Sequence, residues 1–420
     1  MTERLYYTDP YKTRFATRVI EELTWSGDAA VILDKTAFYP ASGGQPADTG
    51  TLGTATVLDV IERESDGDII HVLSDPVHVA EVTGEVFWPR RFDHMQQHTG
   101  QHILSAAFEK TLDAATVGFH MGAESTTIDV DVPDLDMDRV LPIETLVNHV
   151  VWDDRTVGIR LVDGRALEEA FPESPPDLEG PIRLVEIAGA HGAPDSPYDL
   201  NPCGGTHVGR TGEVGLIKIT GLEHRGRETR VEFVCGGRAL RDYEAKRRIT
   251  SDLVSLLTVG ASELVEAVER IQEEAKALRH SERDLRQRLL DMESAQLVQA
   301  AHPRGPYRIV GQVWAQRSPQ ELQILARKLA EHGDVIALLF SVSDRVHFCF
   351  ARGETAGVDV NVLVQKACAQ LNGKGGGRPQ VAQGSAPRAD VDQVMHVLRD
   401  LEAAVSEDTV ERVTHDGESG

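Results

Sequence analysis

The chain has 420 residues, 41% hydrophobic and 26% charged, an ordinary globular balance with enough length for two or three cores. Its net charge of −24 argues against indiscriminate nucleic-acid binding over the whole surface, while leaving room for a local basic patch. No apolar run approaches the ~20 residues of a membrane span, the polar start MTERLYYTDPYKTR lacks the core of a signal peptide, and Cys203, Cys235, Cys349 and Cys368 are too scattered for a disulfide framework. A cytoplasmic protein is the expectation.

Residues 1–90 read as β-rich, with alternating runs such as TATVLDVIER and VTGEVFW broken by Gly, Asp and Pro. Within them TAFYPASGGQPADTG, Thr36 to Gly50, is a Gly/Pro-punctuated loop joining two strand candidates. From Phe92 the period becomes helical. Asp93 followed by Gln96 reads as a capping box, and the helix is expected to run to about Lys110. The stretch 115–235 alternates strand candidates (TTIDVDV, TVGIRLV, IRLVEI, EVGLIKIT, TRVEFVC) with one helix near 142–152. A basic patch spans Arg225, Arg227, Arg230, Arg238, Arg241, Lys246, Arg247 and Arg248, but five acidic residues in or beside it make a solvated charged face an equal reading.

Helices then dominate to about Ala301. Leu264, Val268, Ile271, Ala275, Leu278, Leu285, Leu289 and Met292 recur at threes and fours, which reads as a coiled-coil-like arm with Ser262 as its N-cap. Beyond Pro303 and Pro306 a β-α-β-β-α order leads to GKGGGRPQVAQGSA, a last helix near 389–404 and an acidic end expected to be disordered. The fold class is α+β. Its expected divisions are a β-barrel-like domain at 1–90, an α+β metal-binding domain at 91–237, a helical arm at 238–302, an α/β domain at 303–404 and a tail at 405–420.

Two short motifs carry chemistry. HTGQHIL places His98 and His102 one helical turn apart, on one face, where both can reach a single ion. NPCGGTHVG places Cys203 and His207 at the same spacing around Gly204-Gly205, a turn tight enough for thiolate and imidazole to converge. One Cys and three His suit tetrahedral zinc, one ion per chain. His94, at the expected helix start, is read as capping or solvated. A zinc protease of the HExxH kind is disfavoured, because Thr99 stands where its general-base Glu belongs. Cys203 as a nucleophile activated by His207 stays open beside its reading as a ligand.

HTGQHILS and CGGTHVGRTGEVGLIKI, preceded by FYPASGGQPADTG, resemble the editing domain of alanyl-tRNA synthetase and its freestanding relatives, the alanyl-tRNA editing proteins of the long AlaX type. MGAESTTIDVD and TRVEFVCGGRAL match as well, and GKGGGRPQVAQG looks like the DHHA1 domain that ends both kinds of protein. The resemblance implies zinc-dependent hydrolysis of the ester joining serine or glycine to tRNA(Ala), in a chain with no room for the aminoacylation domain. Ser42 stands where many relatives carry a third Gly.

On this reading Gln45 and Thr36 are the catalytic candidates: Gln45 is an amide that contacts the substrate or stands behind the metal, with a loop residue facing water as the other reading. Thr36 either places a hydroxyl in the pocket to recognise serine or packs under the loop. The DHHA1-like domain is implied to contact the tRNA elbow and to dimerise. Lys374 and Arg378, with the amides of Gly375, Gly376 and Gly377, would receive a phosphate there; a plain turn between helices is the other reading. Two alternatives stay open for the whole chain: a non-catalytic zinc-stabilised tRNA-binding module, and a metal-dependent hydrolase of a small ester or amide.

Overall fold

The computed structural model describes residues 1–162, 182–190 and 196–416. It divides into two compact units, Met1–Thr258 and Val259–Gly420.

The first unit opens with a closed six-stranded barrel. Its strands follow the order Arg14–Trp25, Asp28–Leu33, Ile69–Leu73, Ala55–Glu62, Gly50–Leu52 and Glu81–Val86. Neighbours are antiparallel throughout. Glu81–Val86 alternates exposed and buried residues without a break, the period of two that a half-buried strand requires. Phe15, Val31, Leu33, Leu52, Val57, Val60 and Ile69 fill the interior. Closure leaves no free edge, which is how a short all-antiparallel sheet avoids pairing with other chains.

Helix α1, Trp88–Leu112, follows with Pro89 in its first turn. It starts earlier than the Asp93 cap expected from sequence, because Pro fixes φ where no N–H is needed and is favoured at that position. Asp93 lies inside the helix and pairs with Arg238, Nε to carboxylate at 3.0 and 3.1 Å. The helix packs on α2, Met137–Trp152, capped by the Asp136 carboxylate on Arg139 N.

Two antiparallel sheets complete the packing around α1. One runs Ile217–Arg225, Glu228–Cys235, Thr126–Val130, Thr116–Met121, and the other Val157–Val162, Ile182–Ile187, Asp199–Pro202. Met95, Ile103, Leu104, Ala107 and Phe108 of α1 share one core with Val140, Ile143 and Val147 of α2 and with Ile128, Val231 and Phe233 of the first sheet. The strands Thr116–Met121 and Asp199–Pro202 escaped the sequence reading. The former is mostly half-exposed with no clean alternation, and the latter contains Asn201 and Pro202, which read as turn residues.

The helical stretch expected over 238–302 is interrupted. Helix α3, Gly236–Leu257, closes the first unit, and Thr258 takes a left-handed φ of 54°. Helix α4, Leu264–Gln299, belongs to the second unit. Ahead of it, the N–H bonding a carboxylate is that of Gly260, to Glu263 at 2.8 Å, so Ser262 is not the cap. On α4 the side chains of Val268, Ile271, Leu278, Leu285, Leu289 and Met292 are exposed, so the coiled-coil-like stripe has no partner helix among the described residues. Its end is different: Leu290 and Val298 are buried in the core of the second unit.

That unit is built on a six-stranded sheet in the order His302–Arg304, Tyr307–Ala315, Val335–Val342, Val346–Arg352, Val381–Ala386 and Lys374–Gly377. Tyr307–Ala315 and Val335–Val342 run parallel, joined through α5, Pro319–Ala330. Ile336, Leu338 and Phe340 face one core, shared with α6, Val360–Leu371, and with α7, Val391–Asp416. Val335, Ala337 and Leu339 face a second core, against α5. Cover on both faces explains why DVIALLFSV is continuously apolar rather than alternating. The tail expected to be disordered over 405–420 has a helical backbone as far as Asp416, where it continues α7; residues 417–420 lie outside the described residues.

Candidate metal centre

The site begins with the Gly-Gly loop. Ser42 and Gln45 exchange backbone hydrogen bonds of 3.1 and 2.9 Å, closing a two-residue turn. Gly43 and Gly44 occupy it with φ of 53° and 82°, values that favour glycine. Gly44 is fixed for a second reason, since a Cβ there would stand 2.7 Å from the Phe119 ring. The carbonyl of Gly44 accepts from Met121 N at 3.0 Å, which docks the turn on strand Thr116–Met121.

Gln45, 1% exposed, emerges from this turn toward α1. Its Oε1 lies 2.8 Å from His98 Nδ1 and accepts from Thr206 N at 3.1 Å, while its Nε2 donates to the Thr206 hydroxyl at 2.9 Å. An amide oxygen only accepts, so His98 carries its proton on Nδ1 and leaves Nε2 free.

The same arrangement recurs at the other imidazoles. His102 Nδ1 lies 2.8 Å from the Asp199 carboxylate, and His207 Nδ1 lies 3.2 Å from the Thr99 hydroxyl. Each ring is held by an oxygen at Nδ1, the support that metal-ligating histidines use to set tautomer and orientation. The three rings converge, with centroids 4.4 to 5.4 Å apart. Cys203 Sγ stands 3.4 Å from His98 Nε2 and 3.3 Å from His207 Nε2.

His98, His102, Cys203 and His207 thus offer one ligand atom each, all within 4.8 Å of one another. Bonds of ~2.1 Å to nitrogen and ~2.3 Å to sulfur at a tetrahedral ion put N and S about 3.5 Å apart, so the group fits one four-coordinate metal. Burial opposes charge on the Cys203 thiol, but the surrounding His98, His207 and His102 outweigh it and hold the thiol well below its ordinary range, toward the thiolate a metal needs. Gly205 is required for the approach: a Cβ there would lie 2.1 Å from His98 Cε1.

The other sequence-singled residues are placed elsewhere. Thr36 is fully buried, and its hydroxyl lies 2.8 Å from His71 Nε2 and accepts from Phe38 N at 3.0 Å; no member of the His/Cys group is among its hydrogen-bond partners. His94 is neither solvated nor a cap. It is 3% exposed in the second turn of α1, with Nδ1 unpartnered, and burial lowers its pKa to about 3. Cys235, Cys349 and Cys368 are buried core residues.

The segment Lys374–Gly377 is an edge strand and not a loop. Asn361 Oδ1 accepts from Gly377 N at 2.9 Å and Gln365 Nε2 donates to Gly375 O at 3.0 Å, so side chains of α6 already occupy part of the backbone expected to take a phosphate. Lys374 and Arg378 are exposed. The basic patch is largely paired: Arg225 with Glu223, Arg230 with Asp129, Arg238 and Arg241 with Asp93, Lys246 with Asp242 and Arg247 with Glu244.

Sequence reasoning missed Asp199 and Thr99, which stand behind His102 and His207, and Thr206, which holds Gln45. Only Thr99 and Thr206 lie inside the motifs, and nothing in the spacing marks Asp199 as facing His102 across 97 residues of chain. Asp199→Ala is expected to keep the fold and to weaken metal affinity about 10–100-fold, the usual effect of removing such a support. Competition with a chromophoric chelator measures this, and an unchanged affinity would show that the carboxylate does not orient His102.

Residues 307–407 match the DHHA1 domain, and residues 182–232 match the threonyl and alanyl tRNA synthetase second additional domain, which contains Cys203 and His207. The chain is 29% identical over 415 residues to the alanyl-tRNA editing protein AlaX-L of Pyrococcus horikoshii, covering 95% of this chain and 99% of that one. It is 30% identical over 401 residues to the alanyl-tRNA editing protein Aarsd1 of Rattus norvegicus, covering 90% of this chain and 93% of that one. The alanine–tRNA ligase of Methanoregula boonei is 32% identical over 417 residues, but the match spans only 43% of the ligase's length. With two motifs forming one His/Cys group able to hold a metal, and a match along nearly the whole length of freestanding relatives, the chain belongs to the alanyl-tRNA editing protein family.

Proposed function

We propose that the protein hydrolyses the ester between a wrongly attached serine or glycine and tRNA(Ala), acting in trans on a product made elsewhere and without aminoacylating tRNA itself. The observation that carries this reading is the buried His98, His102, Cys203, His207 group with an oxygen behind each imidazole, in a chain similar to named editing proteins. The three-nitrogen, one-thiolate donor set suits zinc. Zinc bound there supplies a Lewis acid that polarises the ester carbonyl and favours charge on its oxygen.

The chain's own residues orient the parts. Gln45, Asp199 and Thr99 turn the Nε2 lone pairs of the three histidines inward. Phe119 stacks on His98, centroids 5.1 Å apart, and shields one side of the ring from water. His98, His102 and His207 are buried and Cys203 is half-buried. In the overall reaction water adds to the ester carbon, the bond to the ribose oxygen breaks, and that oxygen leaves with a proton. An aminoacyl ester is activated, so a Ser-His-Asp array is not needed. On this reading Gln45 acts through His98. Thr36, bonded inside the barrel, would select serine only through a rearranged hydroxyl.

Substrate delivery falls to the DHHA1 domain, whose exposed Lys374 and Arg378 would contribute salt-sensitive phosphate contacts. Dimerisation through the exposed stripe of α4 belongs to the same proposal. A second reading is a zinc-stabilised tRNA-binding module without catalysis, favoured by a donor set of four protein groups, which is typical of structural zinc.

Deacylation assays with Ser-, Gly- and Ala-tRNA(Ala) on the purified chain separate the two. Release of serine or glycine with Ala-tRNA(Ala) left intact supports editing. Tight binding of all three without release supports the binding module.

A further inference from the structure

The Cys203-Gly204-Gly205 turn rests on a set of side chains that no motif marks. Arg183, on strand Ile182–Ile187, holds Cys203 from both sides of its backbone. The Arg183 carbonyl accepts from Cys203 N at 3.0 Å, and Arg183 Nη1 donates to the Cys203 carbonyl at 2.5 Å. Its Nε donates to the carbonyl of Tyr7 at 3.1 Å, and the guanidinium lies 5.6 Å from the Tyr7 ring centroid. A side chain begun at Gly204 would stand 3.7 Å from the Tyr7 hydroxyl, so Tyr7 also backs the turn itself. Tyr6 packs edge-on against both Tyr7 and Tyr39, centroids 5.0 and 5.3 Å apart.

Arg183 is 6% exposed, yet no carboxylate pairs with it among the described residues, and its Nη2 has no hydrogen-bond partner. A guanidinium stays charged in a protein, and a buried charge without a counter-charge costs several kcal/mol. A purely structural bolt between a strand and the N-terminal segment does not need that charge.

We infer that Arg183 is the positioning residue of the Cys203 ligand: by holding both the N–H and the carbonyl of Cys203, it sets the direction in which Sγ leaves the backbone. This rests on the reading of the four-residue group as a metal site. Arg183 itself touches neither metal nor substrate. Tyr7 supports it by covering the guanidinium and the turn.

The test uses the full-length chain, freed of metal and titrated with cobalt(II) in competition with a chromophoric chelator. The readouts are affinity, the sulfur-to-cobalt charge-transfer band and the intensity of the visible ligand-field bands, together with the thermal midpoint of the metal-free protein. Arg183→Met keeps the apolar stem and removes both fork and charge. It is expected to weaken cobalt binding about 10–100-fold, as loss of a group behind a metal ligand does, and to shift the charge-transfer band. Arg183→Lys, which keeps the charge without the fork, should fall between the two.

Affinity of Arg183→Met within about twofold of wild type, with unchanged bands, overturns the inference whatever happens to the thermal midpoint. Should Arg183→Met not fold, Tyr7→Leu decides, because it leaves Arg183 and Cys203 in place and removes the ring against them. A weakened affinity with an altered band then supports the inference, and wild-type behaviour overturns it. Absence of cobalt binding by the wild-type chain removes the metal site and this inference together, whereas binding that is equal in wild type and Arg183→Met removes only the role of Arg183.

Discussion

Asp48→Ala is expected to lower the thermal midpoint of the first unit by about 10 °C, because breaking a buried ion pair costs about 3–5 kcal/mol and each kcal/mol shifts a domain of this size by about 2–4 °C. Asp48 and Arg91 are both completely buried. The pair does not stand alone. Arg91 Nε lies 3.1 and 3.0 Å from the two carboxylate oxygens, Nη1 donates to Pro10 O at 2.7 Å and Nη2 to Ala37 O at 2.5 Å. Asp48 in turn accepts from Tyr39 N at 2.7 Å. These bonds tie the N-terminal segment and both ends of the loop carrying Gln45 to α1. Removing the carboxylate leaves an unpaired guanidinium in a dry interior, and the main-chain carbonyls do not neutralise it. Calorimetry of the metal-free chain measures the shift. A drop under about 3 °C would mean that water reaches Arg91 and that the loop is anchored by other contacts.

Cys203→Ala should abolish stoichiometric metal and reduce deacylation by about 10²–10³-fold, equivalent to several kcal/mol of transition-state stabilisation. The two effects come from one cause. Cys203 is the only anionic donor of the four, and with His207 it supplies the half of the site that lies on the turn. Alanine fills the site without a ligand and leaves a three-nitrogen set, so His98 and His102 keep their supports but lose the charge that neutralises the ion. Elemental analysis and single-turnover deacylation on the same preparation check both. Full metal content with lost activity would point to Cys203 as the nucleophile. Full metal content with full activity would remove it from the site.

The local features were readable from the chain alone because they are local. Two histidines one helical turn apart share a face whatever surrounds them. Glycine pairs announce turns with positive φ, as Gly43-Gly44 shows, and a Cys and a His bracketing two glycines need only a few dihedrals to converge. Alternation in Glu81–Val86 and the unbroken apolar run of Val335–Val342 likewise record how many faces a strand buries. The start of α1 was misplaced at Asp93 since a good capping residue within a helix looks the same in sequence as one at its end. What Asp93 pairs with, Arg238, is a matter of packing.

Tertiary structure alone decided the rest. Which oxygen stands behind each imidazole depends on three segments far apart in sequence: Gln45 from the barrel loop, Asp199 from a short irregular strand, and Thr99 one residue beyond His98 but aimed at His207. The assignments of Arg91 and Arg183 to the interior run against the ordinary preference of arginine for solvent, and are supported by the convergence of carbonyls and Asp48 in one case and of the Tyr7 and Cys203 carbonyls in the other. The division of the expected arm between two units turns on a left-handed Thr258, a conformation that its residue type does not advertise. The sequence by itself determined which His and Cys side chains could be grouped, and the helix and turns that present them, because spacing along a helix or a tight turn is a short-range property. The fold decided the orientation of those side chains and the partners of the buried charges, because contacts between distant segments depend on where the whole core places them.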